Sequence, residues 1–319
     1  MTDDTELITV RVVRTERAAD GIRLFELRDP AGADLPPFTP GAHLSVRVPN
    51  GSLRNYSIAS DPAETGHYLI AVKREEGGRG GSISLVENTK PGDLLQVSHP
   101  RNLFELSASA PSYVFVAGGI GITPIRSMIH AVRASGKPFK LYYLTRDEAG
   151  TAFRAELSDP QLKGKVVIHH DSGDPERSFD LWPVFENPSR AHIYCCGPRP
   201  LMEGVRDMTG HWPVSQVHFE DFGSDLVRPR PDDVPFRVHL ARSGATLEVP
   251  VGVTIMEVMR AHGLRVPSSC ESGTCGTCRT PLLEGEPDHR DLVLTEAERR
   301  SEIMVCVSRA KGAELVLDA

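Results

Sequence analysis

Along roughly the first hundred residues, apolar positions recur every second residue in short runs broken by glycine and proline. The runs are Ile8–Val13, Ile22–Leu27, His43–Val48, Arg54–Ser57, Tyr68–Val72 and Asp93–Val97, with Pro40-Gly41 and Pro91-Gly92 as turns. Half-buried strands at such spacing predict an antiparallel β-barrel. From Tyr113 the pattern changes. Tyr113–Ala117, Lys140–Leu144, Val166–His169, His192–Cys195 and Gln216–Phe219 are apolar with little alternation, and helical or loop-rich stretches such as Pro124–Ala134 and Arg199–Met208 separate them. Strands buried on both faces and joined by helices predict a parallel, doubly wound α/β sheet. Gly223–Asp233, with two prolines and several charges, reads as an exposed linker. Beyond it, Phe236–Leu240 and Ala245–Val249 flank Ser243-Gly244 as a hairpin, and a helix opens at Thr254 with capping-box spacing to Glu257 and closes at Gly263. The expected division is 1–105, 106–223, a linker over 224–233, and 234–319.

At 319 residues the chain exceeds one ordinary core, in keeping with two or three domains. The formal net charge of -7 argues against non-specific nucleic-acid binding. No apolar stretch reaches the ~20 residues that span a bilayer, and the acidic Met1–Leu7 segment does not fit a secretory signal. Six cysteines, four of them near the C-terminus, suit metal ligation in a reducing compartment better than a disulfide framework. No membrane association is expected, and the expected location is the cytoplasm.

Cys270, Cys275 and Cys278 stand in C-x4-C-x2-C spacing, with Cys306 farther along. This is the plant-type [2Fe–2S] pattern. Ser272-Gly273-Thr274 and Gly276-Thr277 are small enough to let the backbone wrap a cluster and aim N–H groups at its sulfurs. Zinc or disulfides are the alternatives, but zinc prefers paired C-x2–4-C hooks and one such pair exists here.

Gly118-Gly119-Ile120-Gly121-Ile122-Thr123-Pro124 follows a buried strand and opens a helix, where unpaired N–H groups and the helix dipole favour a pyrophosphate. It does not match G-x-G-x-x-G, and tight packing is the other explanation for its glycines. Cys196-Gly197-Pro198 repeats the strand–turn–helix arrangement at a later strand, so both turns could face one crevice. In the barrel, Arg54-Asn55-Tyr56-Ser57 offers a guanidinium for phosphate, an aromatic to pack on an isoalloxazine and a hydroxyl for the ring edge. An ordinary strand with a solvated arginine is the competing account. Gly77–Ser82 ahead of a short helix at Ile83–Glu87 is a second anion site, or a mobile loop.

Taken in order, the Arg54–Ser57 motif, the Gly118–Pro124 turn, Cys196–Pro198 and the C-terminal cysteines resemble the phthalate dioxygenase reductase family, to which vanillate O-demethylase reductase subunits belong. The resemblance spans essentially the whole chain. It implies a flavin-binding barrel of the ferredoxin-reductase type, a nucleotide domain and a β-grasp ferredoxin domain. It implies Arg54, Tyr56, Ser57 and Lys73 as flavin contacts and Gly80, Gly81 and Ser82 as the FMN phosphate site. Gly119, Gly121 and Thr123 correspond to the nicotinamide nucleotide turn, with Cys196, Gly197 and Pro198 as its partner loop. Phe222 corresponds to an aromatic beside the flavin; its alternative is a hydrophobe that anchors the linker. FMN rather than FAD, and NADH rather than NADPH, are implied. Thr145–Glu148 carries both signs of charge: a carboxylate there disfavours a 2′-phosphate, while Arg146 could accept one.

The implied activity is electron transfer from NADH through FMN and a [2Fe–2S] cluster to a separate terminal oxygenase, with a Rieske-type, ring-hydroxylating or O-demethylating system as the family expectation. The cofactors carry the chemistry, so no general acid, nucleophile or triad is expected. Competing readings are an FAD-bound reductase feeding a cytochrome P450 or diiron hydroxylase, and a non-enzymatic redox carrier or sensor.

Overall fold

The computed structural model describes residues 7–222, 229–268 and 270–319. The N-terminal six residues and residues 223–228, which include the first half of the expected linker, lie outside the described residues, as does Ser269. The described chain forms two compact units, one of residues up to Glu75 with Gly81–Asp221, the other of Glu76–Gly80 with the chain from Phe222 onward.

The first unit begins with six antiparallel strands: β1 (Leu7–Ala19), β2 (Ile22–Arg28), β3 (His43–Arg47), β4 (Leu53–Ser57), β5 (Tyr68–Lys73) and β6 (Leu94–Ser98). Their order is β4-β3-β6-β1-β2-β5, and a bridge between Ile58 and Ile70 joins the two edges, with Ala59 N donating to Leu69 O at 2.7 Å. Closing the ring removes the exposed edges a flat sheet would present. Phe25, Leu27, Leu44, Val46, Ile70 and Val97 fill it, and helix α1 (Gly81–Asn88) contributes the fully buried Leu85. Strand β1 outlasts the apolar run that signals it, because Arg14, Glu16 and Arg17 keep the ladder to β2 on exposed rungs; Arg14 pairs with Glu26 at 3.0 Å and Glu16 at 2.9 Å.

Five parallel strands follow: β7 (Tyr113–Gly118), β8 (Phe139–Thr145), β9 (Val166–His170), β10 (His192–Cys196) and β11 (Val217–Glu220), ordered β11-β10-β7-β8-β9. The crossovers carry helices α2 (Ile122–Ser135), α3 (Arg154–Leu157), α4 (Trp182–Phe185) and α5 (Arg199–Met208). Helix α2 starts two residues before Pro124, which the first turn tolerates, and stops at Gly136 in the left-handed conformation. One face of the sheet packs Phe115, Met128, Leu141 and Tyr194; the other packs Val116, Phe185, Ile193 and Trp212. The chain runs outward from β7 on one side and returns to β10 on the other. A crevice therefore opens between β7 and β10 at the carboxyl ends of the strands.

The second unit is a mixed sheet built from β12 (Phe236–Leu240), β13 (Thr246–Val249), β14 (Arg279–Glu284), β16 (Glu302–Met304) and β18 (Glu314–Leu317), ordered β13-β12-β18-β14-β16, with β15 (Pro287–Asp288) and β17 (Arg309–Ala310) paired beside it. Strands β12 and β18 are parallel; the other pairs are antiparallel. Helix α6 (Ile255–Ala261) has the capping box its sequence predicts: Glu257 N donates to Thr254 Oγ1 at 3.1 Å, and Thr254 N to Glu257 Oε2 at 2.9 Å. The expected linker ends too late. The Asp233 side chain is 4% exposed and pairs with Arg290 and Arg309, so it belongs to this unit rather than to an exposed connection. Charge and proline content mark Asp233 as linker, but buried guanidiniums supply its counter-ions.

Candidate functional site

In the first unit the two glycine turns meet. Gly118 ends β7, and Gly197 follows β10, its parallel neighbour. A Cβ on Gly118 would lie 2.5 Å from Pro198 Cδ and 2.7 Å from Leu201 Cδ2, and one on Gly197 would lie 2.8 Å from Gly118 Cα. A Cβ on Gly121 would lie 2.5 Å from the Cys196 carbonyl carbon and 2.8 Å from Gly197 N. These glycines let two backbones touch. Gly119 differs: its φ is +52° and a Cβ there would meet nothing within 4 Å. The structure thus divides the turn into packing glycines and one open glycine where a ligand can approach the backbone. Thr123 is 2% exposed, and its hydroxyl donates to Ile120 O at 3.0 Å, closing the first turn of α2.

Cys195 and Cys196 are fully buried on opposite faces of the sheet. Burial pushes the Cys195 thiol up to about 12, and burial, followed by the nearby Glu220 carboxyl, raises Cys196 as well. Both are neutral packing groups, since the thiolate is the reactive form. Glu220 sits beside Cys196 in the β10–β11 register, and its Oε2 accepts from Ser57 Oγ at 3.4 Å. Burial pushes its carboxyl up to about 8. Ser57 of the barrel, Glu220 and Cys196 thus converge at one end of the crevice. Glu220 was not singled out by sequence reasoning; the available signal was a carboxylate closing an otherwise half-buried strand.

Arg54, Tyr56 and Ser57 share β4. Tyr56 is half-buried, and burial raises its phenol well above the usual range. The Arg54 stem lies against the start of α1: a Cβ on Gly81 would come 2.7 Å from Arg54 Cγ. Arg54 and Gly81 are therefore one feature, a guanidinium at a helix N-terminus, which fits a phosphate. Ser82 Oγ accepts from Glu75 N at 3.1 Å, and Gly80 takes φ +76° immediately before the helix. Lys73 stands apart, 51% exposed at the end of β5 and paired with Glu75 at 3.2 Å. After β8, Asp147 Oδ1 accepts from Gly150 N at 2.7 Å, within its own loop, and Glu148 pairs with Arg154 at the start of α3 at 2.6 Å.

In the second unit the four C-terminal cysteines assemble as two pairs. Cys270 N donates to Cys275 Sγ at 3.5 Å, and the Cys275 thiol, by hydrogen bonding, pushes Cys270 down to about 4. Cys306 likewise lowers Cys278. Ser272 N and Thr274 N each donate to Cys270 Sγ at 3.4 Å. None of the six cysteines is in a disulfide. Among the described residues no three sulfur, imidazole or carboxylate groups converge on one ion position. Two pairs of facing cysteines, in each of which one thiol is lowered and its partner raised by their mutual hydrogen bond, suit a two-iron cluster with two protein ligands for each iron and fit a mononuclear zinc poorly. The loop reaches this shape through Glu271, Gly273 and Gly276 at φ +53°, +75° and +82°. Phe222 is 39% exposed at the start of the second unit.

Family models match in the same order: an oxidoreductase FAD-binding domain over 9–106, an oxidoreductase NAD-binding domain over 115–207, and a 2Fe-2S iron-sulfur cluster binding domain over 238–311. The chain is 55% identical to phthalate dioxygenase reductase of Burkholderia cepacia, over 98% of this chain and 97% of that protein. It is 56% identical to the phthalate 4,5-dioxygenase oxygenase reductase subunit of Pseudomonas putida, over 97% and 96%. The solved structure of a phthalate dioxygenase reductase, described as modular for electron transfer from pyridine nucleotides to [2Fe–2S], superposes with a TM-score of 0.91 at 53% identity, covering 98% of each chain. With its paired cysteines and glycine-lined crevice, the chain belongs to the phthalate dioxygenase reductase family and is an oxidoreductase with flavin-, NAD- and 2Fe-2S-binding domains.

Proposed function

We propose that this chain is the reductase component of a multicomponent oxygenase, drawing electrons from NADH through FMN and a [2Fe–2S] cluster and passing them to a separate terminal oxygenase in the cytoplasm. The observation that carries the reading is the pairing of Cys270 with Cys275 and Cys278 with Cys306, on a chain that also holds the switch-point crevice. Among the described residues no helix is long and apolar enough to cross a membrane.

When bound, the cofactors supply hydride acceptance, the change from two-electron to one-electron transfer, and single-electron storage. The protein's residues position them. Gly119 opens the backbone to the dinucleotide pyrophosphate while Gly118, Gly121 and Gly197 press the two turns into one floor. The N-terminus of α2 adds positive potential there. Arg54 and the first turn of α1 would hold a flavin phosphate, with Tyr56 available to the ring. Ser57 and Glu220 keep a proton in the crevice, on a carboxyl that stays protonated near neutrality. Cys270, Cys275, Cys278 and Cys306 would hold the cluster as thiolates.

Anaerobic addition of NADH should bleach flavin absorption before the cluster's visible bands change. The Cys275→Ser variant should lose the cluster bands yet retain NADH-to-ferricyanide activity. A folded variant lacking both would refute the modular scheme. Mass measurement of the extracted flavin separates FMN from FAD.

A further inference from the structure

A second layer of polar groups lies beneath the cluster-binding loop. The Asp291 side chain is fully buried, and its Oδ2 accepts from Val293 N at 3.1 Å and Leu294 N at 2.8 Å. The turn it closes is fitted to the loop. Leu292 N donates to Gly273 O at 3.0 Å. A Cβ on Gly273 would lie 3.3 Å from Asp291 Cα and 2.8 Å from Val307, the neighbour of Cys306. A Cβ on Gly276 would lie 3.3 Å from Val293 Cγ1. Thus the turn at Asp291–Val293 meets both glycines that flank Cys275.

The opposite side of the turn is enclosed by His289 and Arg299. Arg299 Nη2 donates to Asp291 O at 3.0 Å, and His289 Nε2 lies 2.9 Å from Arg299 O. His289 Nδ1 and Asp291 Oδ1 face each other at 3.6 Å, and these two atoms and Arg299 Nε are buried without a hydrogen-bond partner among the described residues. Asp291 therefore keeps one oxygen under-satisfied in a region screened from water. A charge there is felt strongly by its surroundings.

We infer that Asp291 is a positioning residue for the cluster loop whose buried charge also lowers the cluster's reduction potential. A fixed negative charge disfavours the added electron, and buried groups behind a metal's ligands tune it through dielectric and hydrogen bonding. The inference rests on the reading that the four cysteines hold a [2Fe–2S] cluster.

The test compares wild-type holoprotein with Asp291→Asn and Asp291→Ser by iron and acid-labile sulfide analysis, electron paramagnetic resonance and potentiometric titration. Asparagine and serine each retain an oxygen for the two N–H groups and remove the charge. The expected result is a cluster of wild-type stoichiometry and signal shape whose midpoint moves positive by about tenfold in the oxidised-to-reduced ratio, or ~59 mV for one electron. An assembled cluster with an unchanged midpoint would overturn the inference. Loss of the cluster from both neutral variants would also overturn it, in favour of a purely structural anchor. Wild-type protein without iron and sulfide would instead fail the cluster reading itself.

Discussion

Alanine at Gly121 would place a methyl 2.5 Å from the Cys196 carbonyl carbon and 2.8 Å from Gly197 N. Carbon atoms in contact sit ~3.5–4.0 Å apart, so the two turns must separate by about 1 Å. Neither side can yield cheaply, because each is backbone just beyond a central strand that is buried at all but one position. Overpacking of this kind costs about 1–3 kcal/mol, and a misplacement of about 1 Å near a reacting centre costs roughly a hundredfold in rate. Gly121→Ala should therefore lower the thermal midpoint by several degrees and reduce kcat/KM for NADH by about two orders of magnitude. Gly119→Ala supplies the contrast. Its Cβ meets no atom, and its penalty is the left-handed φ of +52°, about 1–2 kcal/mol. It should leave flavin content intact and raise the NADH dissociation constant by tenfold or more. Stopped-flow flavin reduction at varied NADH, normalised to flavin content, reads both effects. Wild-type kinetics in Gly121→Ala would refute the close-approach reading, and unchanged NADH affinity in Gly119→Ala would refute placing the nucleotide at the open glycine.

Two further expectations concern buried charge. Because the folded protein holds Glu220 up to about 8 against an ordinary 4.5, the native state keeps a proton that the unfolded chain releases, and stability falls as pH rises through that window. Water reaching the half-buried side chain reduces the effect to about 2 kcal/mol between pH 5 and 8, by ~1.4 kcal/mol per pK unit before that discount. Glu220→Gln should flatten this slope in urea unfolding across pH, and a parallel slope in the variant would count against a buried, protonated carboxyl. Asp233→Ala leaves the nearly buried Arg309 without its carboxylate partner, while Arg290 keeps Asp288 at 2.6 Å, and breaking a buried pair of this kind typically costs about 3 kcal/mol. The second unit should then unfold at markedly lower urea, followed by the cluster's visible bands; a midpoint within error of wild type would show that Asp233 carries no such role.

The sequence by itself determined the order and class of the elements, because alternation, continuous apolar runs and the Thr254–Glu257 capping box are local signals. It also singled out the candidate cluster cysteines, since C-x4-C-x2-C is a spacing that needs no knowledge of the fold. Strand length was less legible: β1 continues through Arg14, Glu16 and Arg17 because its exposed rungs are held by cross-strand pairs, which no single run of residues reveals. Tertiary structure alone decided three matters. It set Gly121 against Cys196 and Gly119 in the open, a difference of neighbours rather than of residue type. It brought Ser57 to Glu220 across more than half the chain's length, and the shared burial, not the local sequence, displaces that carboxyl's ionisation. It also enclosed Asp233, which the sequence places in an exposed linker, and Asp291, to which no local pattern gives a role, because the strands and loops around them exclude water. Periodicity and spacing are properties of neighbours along the chain; close approach and desolvation exist only once distant segments are packed together.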